Sequence, residues 1–213
     1  MCLQAFASLI PLIHLFKYNK CSVSAELLPL LFFLVIQFVL NTLGDIFAFY
    51  SITFYSLNSN FIYHVDLPLS FIAQLLFFKA LDKKIYFTQP LFRAGIAFII
   101  LIVMNSFLYE ELDMFNGTSY ALKCIYILFV CLRYYWFKIN SDDTSDILQQ
   151  PYFWFISGFF IYYCSCFVIF AAYNSLVVQD DLLTILSTRY QAIMYLIMCI
   201  LLAKGIKHKA YAQ

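Results

Sequence analysis

Residues 26–50 read ELLPLLFFLVIQFVLNTLGDIFAFY, a run in which only Glu26 and Asp45 carry charge. A hydrocarbon core of roughly 30 Å takes about 20 apolar residues in helical form, and this run is long enough to cross it. Further stretches come close: Phe61 to Ala80, Leu91 to Leu108, Ser119 to Phe137, Tyr152 to Tyr173 and Leu182 to Ala203. A shorter one, Cys2 to Phe16, contains Pro11 and His14. At 1.5 Å per residue it would reach across only about 22 Å. Taken together, the stretches predict an all-α fold: one polytopic transmembrane bundle of about seven helices, forming a single domain over residues 1–213.

Composition points the same way. Hydrophobic residues make up 64% of the chain and charged residues 12%, with a mean hydropathy of +0.83. A soluble fold built from them would leave large apolar patches in water, which soluble monomers avoid. The connections are short, so a soluble catalytic or binding domain has no room, and function belongs inside the bundle or on its rims.

A net charge of +1 conceals an asymmetry. Lys17, Lys20, Lys79, Lys83, Lys84, Arg93, Arg133, Lys138, Lys204, Lys207 and Lys209 fall on one side if the chain crosses seven times. Lys123 and Arg189 sit near the opposite ends of the fifth and seventh helices, beside Glu110, Glu111, Asp113, Asp180 and Asp181. An excess of Lys and Arg marks the cytoplasmic side, which puts the N-terminus outside and the C-terminus inside a cell inner (plasma) membrane. The first apolar stretch is read as a helix and not as a cleaved signal peptide, since it has no basic residues before it and no small-x-small site after it.

Polar residues within the spans are the candidates for function, because placing them in lipid is expensive without a partner or a purpose. Helix two carries Gln37, Asn41 and Asp45 at i, i+4 and i+8, and helix three carries Asp66, Ser70 and Gln74 at the same spacing. Residues four apart share a helix face, so each set forms a stripe. In antiparallel neighbours both stripes would place their acid near the outer surface and their glutamine near the midplane, facing each other across a polar seam. His64 and Asn105 belong near the same level, and Lys123 and Arg189 offer counter-charges to Asp45 and Asp66. Thr184, Thr188, Gln191 and Tyr195 make a further polar stripe on the last helix. Three readings stay open: an ion-paired network that fixes helix packing, an outward-facing polar pocket for a small ligand or protons, and snorkelling to the headgroups without any pocket.

Other features carry less chemistry. The seven cysteines, Cys2, Cys21, Cys124, Cys131, Cys164, Cys166 and Cys199, show no CxxC and no histidine at ligand spacing, so no metal, cofactor or disulfide framework is expected. Cys164 and Cys166 point about 200° apart on a helix. Tyr134, Tyr135, Trp136, Tyr152 and Trp154 read as an interfacial aromatic belt. Ser157, Gly158, Cys164 and Ser165 would allow close helix approach within the bundle or between protomers of a homo-oligomer. The connection Asn140 to Gln150, with Asp142, Asp143 and Asp146, is a short acidic cytoplasmic loop ended by Pro151, which suits the first turn of the next helix. Ser24 suits the N-cap of helix two.

The segment Pro151-Tyr-Phe-Trp-Phe-Ile-Ser-Gly-Phe-Phe-Ile-Tyr-Tyr-Cys-Ser165 resembles a family of small uncharacterised seven-helix bacterial membrane proteins, as do Phe61-Ile-Tyr-His64, Asn105-Ser106 and Phe115-Asn116. Ser70 stands where an acidic residue is expected. Some members are encoded near sensor kinases, and the resemblance implies a signalling or regulatory role. A looser resemblance in size is to the membrane accessory proteins of RNA-targeting CRISPR systems.

Three classes of function follow. The first is a non-enzymatic sensor or regulatory accessory protein. Asp45, His64, Asp66, Lys123 and Arg189 would receive a signal, and the basic loops would contact a cytoplasmic partner, a kinase or a CRISPR effector, without direct nucleic-acid binding. The second is a small transporter or oligomeric channel, with Gln37, Asn41, Ser70 and Gln74 lining a path. The third, an enzyme acting on lipid, lacks HExxH or a paired Ser and His, so no catalytic residue is assigned.

Overall fold

Among the described residues seven α-helices follow one another: α1 (Leu3–Tyr18), α2 (Leu28–Phe54), α3 (Phe61–Leu81), α4 (Gln89–Leu108), α5 (Gly117–Ile139), α6 (Pro151–Gln179) and α7 (Asp181–Tyr211). A 3-10 turn at Ile147–Gln149 precedes α6, and no strand occurs among the described residues. The computed structural model describes residues 3–18, 26–54, 60–81, 89–108, 115–140, 146–179 and 181–211. Cys2, Lys20, Cys21, Ser24, Lys83, Lys84, Glu110, Glu111, Asp113, Asp142, Asp143 and Asp180 lie outside them, as does the side chain of Asp181.

Local chemistry sets the start of α6. The Asp146 carboxylate accepts the Leu148 N–H at 3.0 Å, and the Trp154 indole N–H reaches back to the Leu148 carbonyl at 2.8 Å. Pro151 then opens the helix, where a missing N–H removes no hydrogen bond.

Each helix packs on the next, and α7 returns to α1, so the seven close into a ring. The most extensive seam joins α6 and α7. Its closeness is explained by two glycines: a Cβ on Gly158 would lie 3.3 Å from the Met198 carbonyl oxygen, and one on Gly205 2.5 Å from the Phe155 ring. Small residues of this kind let helix backbones approach in a membrane.

Aromatic side chains fill the middle of the ring. Phe33 from α2 meets Phe159 from α6 with ring centroids 5.5 Å apart, and Phe77 from α3 meets Phe155 at 5.6 Å and Phe159 at 5.8 Å. Such offset and edge-to-face pairs suit the charge distribution of the rings. Apolar side chains also cover the outside, including Phe6, Phe49, Ile100, Leu101 and Val168, where a lipid chain is their natural neighbour.

Among the described residues five helices are long and apolar enough to cross a membrane, over Leu28–Phe47, Phe61–Leu81, Gln89–Ser106, Pro151–Tyr173 and Leu182–Tyr211. The two others fall short for different reasons. α1 has only 16 residues, and α5 carries Lys123, Arg133 and Lys138 among several tyrosines. The molecule is therefore an all-helical membrane protein.

Basic residues gather where the ends of α1, α2, α6 and α7 meet. Lys209 of α7 forms an ion pair with Glu26, which also accepts the Tyr152 hydroxyl at 3.0 Å. Lys204 lies over the Trp154 ring, 3.4 Å from its centroid, and Tyr18 meets Tyr211 at 6.1 Å. Trp136 is 72% exposed, as a belt residue should be. Tyr134 is buried, Tyr135 hydrogen-bonds Ser157 at 2.8 Å, and Tyr152 and Trp154 bind neighbouring helices, so these four tie the bundle together besides anchoring it.

Candidate functional site

The stripe on α3 begins with its own hydrogen bonds. The Ser70 hydroxyl donates to the Asp66 backbone carbonyl one turn back at 2.6 Å, a bond that Ser makes readily within a helix. The same oxygen accepts from the Lys123 ammonium of α5 at 2.6 Å. Lys123 is 2% exposed, and Ser70 is fully buried. The lysine therefore has a neutral hydroxyl as its direct partner, with the Asp66 charge acting on it through space.

Asp66 collects the remaining donors. Its carboxylate accepts from the Gln37 amide of α2 at 2.5 Å and from the Tyr120 hydroxyl of α5 at 2.6 Å. Two donors from different helices fix the carboxylate in one orientation, and charge-assisted bonds of this type are about twice as strong as neutral ones. Tyr120 lies three residues before Lys123, on the same helix face. The Lys123 ammonium sits 5.8 Å from the Tyr120 ring centroid and 5.7 Å from that of Tyr163, so two aromatic faces share its charge. Asp66 and Gln37 keep part of their surface accessible, while Ser70 and Lys123 behind them do not.

Deeper along α3, the Gln74 amide nitrogen donates to the Tyr163 hydroxyl of α6 at 2.5 Å. Its Oε1 is buried with no hydrogen-bond partner among the described residues. The network thus joins α2, α3, α5 and α6.

Its far side is closed by Phe115, which meets Tyr63, Tyr120, Phe170 and Tyr173 with ring centroids 4.5 to 6.0 Å apart. The neighbouring Asn116 is fully buried and donates to the Tyr63 carbonyl at 3.4 Å. Phe115 and Asn116, which directly precede α5, are part of the core.

Of the two predicted stripes, the structure brings together Gln37 of α2 and Asp66 of α3. Gln37 meets Asp66 instead of lying level with Gln74. Asn41 is half-buried and outside the network. Asp45 stands two turns, about 12 Å, further along α2 than Gln37. Its charge acts on Tyr63. His64 is buried in the first turns of α3, and Asn105 donates to Ser119 of α5 at 2.9 Å, a separate bond between α4 and α5. Arg189 is exposed on α7 and contributes no contact to the cluster. Of the α7 stripe, Gln191 reaches Tyr162, Thr188 reaches Tyr173, and Tyr195 pairs with Ser8 of α1 at 2.8 Å.

Tyr120 and Tyr163 are the members that sequence reasoning missed. With 17 tyrosines in the chain, an interfacial role is the default for any one of them. The signal available was the i, i+3 spacing of Tyr120 and Lys123, which puts a phenol beside a buried ammonium. No group of His, Cys, Asp and Glu residues suited to a metal occurs among the described residues. Cys124, Cys131, Cys166 and Cys199 are buried and Cys164 is exposed, with Cys164 and Cys166 on opposite faces as their spacing requires.

Fold and site together define an all-helical membrane protein with an acid and a base held in its interior. Compared with protein-family models, curated proteins and solved structures, the chain matches none.

Proposed function

We propose that the protein is a non-enzymatic regulatory protein of the cell inner membrane, which relays a change at the Asp66 cluster to a partner on the cytoplasmic side. The observation that carries this reading is the position of Asp66. Its carboxylate takes one donor from α2 and one from α5, so it links the two helices directly, with Ser70 and Lys123 next along the same face. Protonation of the acid, or binding of a small cation to it, would weaken its bonds from Gln37 and Tyr120 and leave Lys123 without its balancing charge. A local charge event of that kind biases how whole helices pack. In this reading the N-terminus faces outward and the basic end faces the cytoplasm, where it meets the partner. The resemblance to proteins encoded near sensor kinases makes a kinase the first candidate, with a CRISPR effector as the second.

A transport path along Gln37, Asn41, Ser70 and Gln74 is the less favoured reading. Ser70 and Gln74 are fully buried, and Phe71 and Phe77 beside them are closely packed.

Mild crosslinking in native membranes, followed by affinity purification and mass spectrometry, tests the proposal. A stoichiometric cytoplasmic partner whose capture changes in Asp66→Asn, with membrane insertion unchanged, is the expected result. Only self-crosslinked species, together with ion flux in liposomes, would overturn it.

A further inference from the structure

A groove between α1 and α7, at the basic end of the ring, lies apart from both the polar cluster and the aromatic core. It encloses about 400 Å³. One part of its wall is apolar, built by Ile10 of α1 and by Ile200 and Ala203 of α7. The other part is cationic and polar, built by His14, Lys204, Lys207 and His208. Both helices contribute in the same order. Ile10 precedes His14 on α1, and Ile200 precedes Lys204 and Lys207 on α7, so the wall changes from apolar to basic over about 10 Å toward the helix ends.

Charge and surroundings narrow the occupant. No acid lines the groove among the described residues; of the described acids at this end, Glu26 is taken by Lys209 and Tyr152, and Asp146 accepts the Leu148 N–H. Lys17 and Lys207 are the charges that act on His14, whose Nδ1 is buried with no hydrogen-bond partner among the described residues. Lys204 is held over Trp154, and the rings of Tyr18 and Tyr211 meet at 6.1 Å beside the groove. Phe6, Ile13 and Phe16 of α1 are each more than 60% exposed, so this side of the bundle is a lipid-facing surface. A ligand that is apolar toward the membrane interior and anionic toward the water matches this gradient. Free phosphate would have no use for the isoleucine wall.

We propose that the groove binds an anionic phospholipid. Its phosphate is held by Lys207, Lys204 and the two histidines, and the start of an acyl chain lies along Ile10, Ile200 and Ala203. Basic sites between helices at the cytoplasmic side are a recurrent way of holding acidic headgroups. The site is independent of the Asp66 cluster and of any protein partner.

Native mass spectrometry of the purified protein, titrated with phosphatidylglycerol or phosphatidylcholine of the same chains, tests the assignment. Phosphatidylglycerol is expected to bind at least about fivefold more tightly, and Lys207→Gln to weaken it about fivefold, the contribution of one lysine near an anionic headgroup. Arg93→Gln, which removes an equal charge from exposed α4 outside the groove, should change nothing. Equal binding of the two lipids, or equal losses in Lys207→Gln and Arg93→Gln, would overturn the site. Displacement of the lipid by millimolar inorganic phosphate would overturn the lipid as occupant. Lys207 is exposed, so its replacement leaves the packed core intact.

Discussion

The bundle is held in two different ways along its length. Away from the basic end, α2, α3, α5 and α6 are joined by hydrogen bonds among Gln37, Asp66, Ser70, Gln74, Tyr120, Lys123 and Tyr163. Toward the basic end, α6 and α7 are joined by close backbone approach at Gly158 and Gly205 and by packed rings, with Glu26 and Lys209 paired at the rim. Apolar packing can be replaced piece by piece. A polar network in low dielectric depends on every member, because an unpaired buried charge costs more than the pair gains.

The sharpest way to break this comparison is to remove one charge from the interior. Asp66→Asn or Lys123→Met should each destabilise the protein by about 3 kcal/mol, and the double substitution should recover most of that loss because no charge is left alone. Thermal unfolding in detergent measures the cycle. Additive losses would show that the two charges are not coupled. Next in size is Gly205→Leu, which drives side-chain atoms into Phe155 and should cost roughly 1–3 kcal/mol by overpacking, with no dependence on salt. Glu26→Gln at the rim should cost about 1 kcal/mol or less, and added salt should shrink the difference from the unaltered protein. Arg189→Gln should leave the unfolding temperature where it was, since the side chain is exposed and takes no part in the cluster. A clear shift there would place Arg189 in a contact that the fold does not provide.

Legibility in the sequence followed the same division. Six of the helices were readable because apolar runs close to membrane length state their own boundaries, and α3, α4 and α5 begin and end within two residues of the sequence reading. The polar residues of α3 were readable because four-residue spacing defines one face wherever the helix lies. What the spacing does not contain is the offset between two antiparallel helices. Levelling acid with acid placed Asp45 beside Asp66, whereas α2 brings Gln37 there. Lys123 was found because a lysine near a span end is conspicuous. Arg189 was equally conspicuous and lies outside the cluster, since a helix presents only some of its faces to the interior. Tyr120 and Tyr163 were hidden by the abundance of tyrosine.

The return of α7 to α1 has a consequence for the order of assembly. Ser8 and Tyr195, which hydrogen-bond across that seam, are separated by 187 residues. At a synthesis rate of 5–20 residues per second, α1 waits roughly 10–40 s before its partner exists. During that interval the shortest of the described α-helices stands with one flank open. A passing helix of another polypeptide, or an insertion chaperone, can occupy that flank until the last stave arrives and closes the circle.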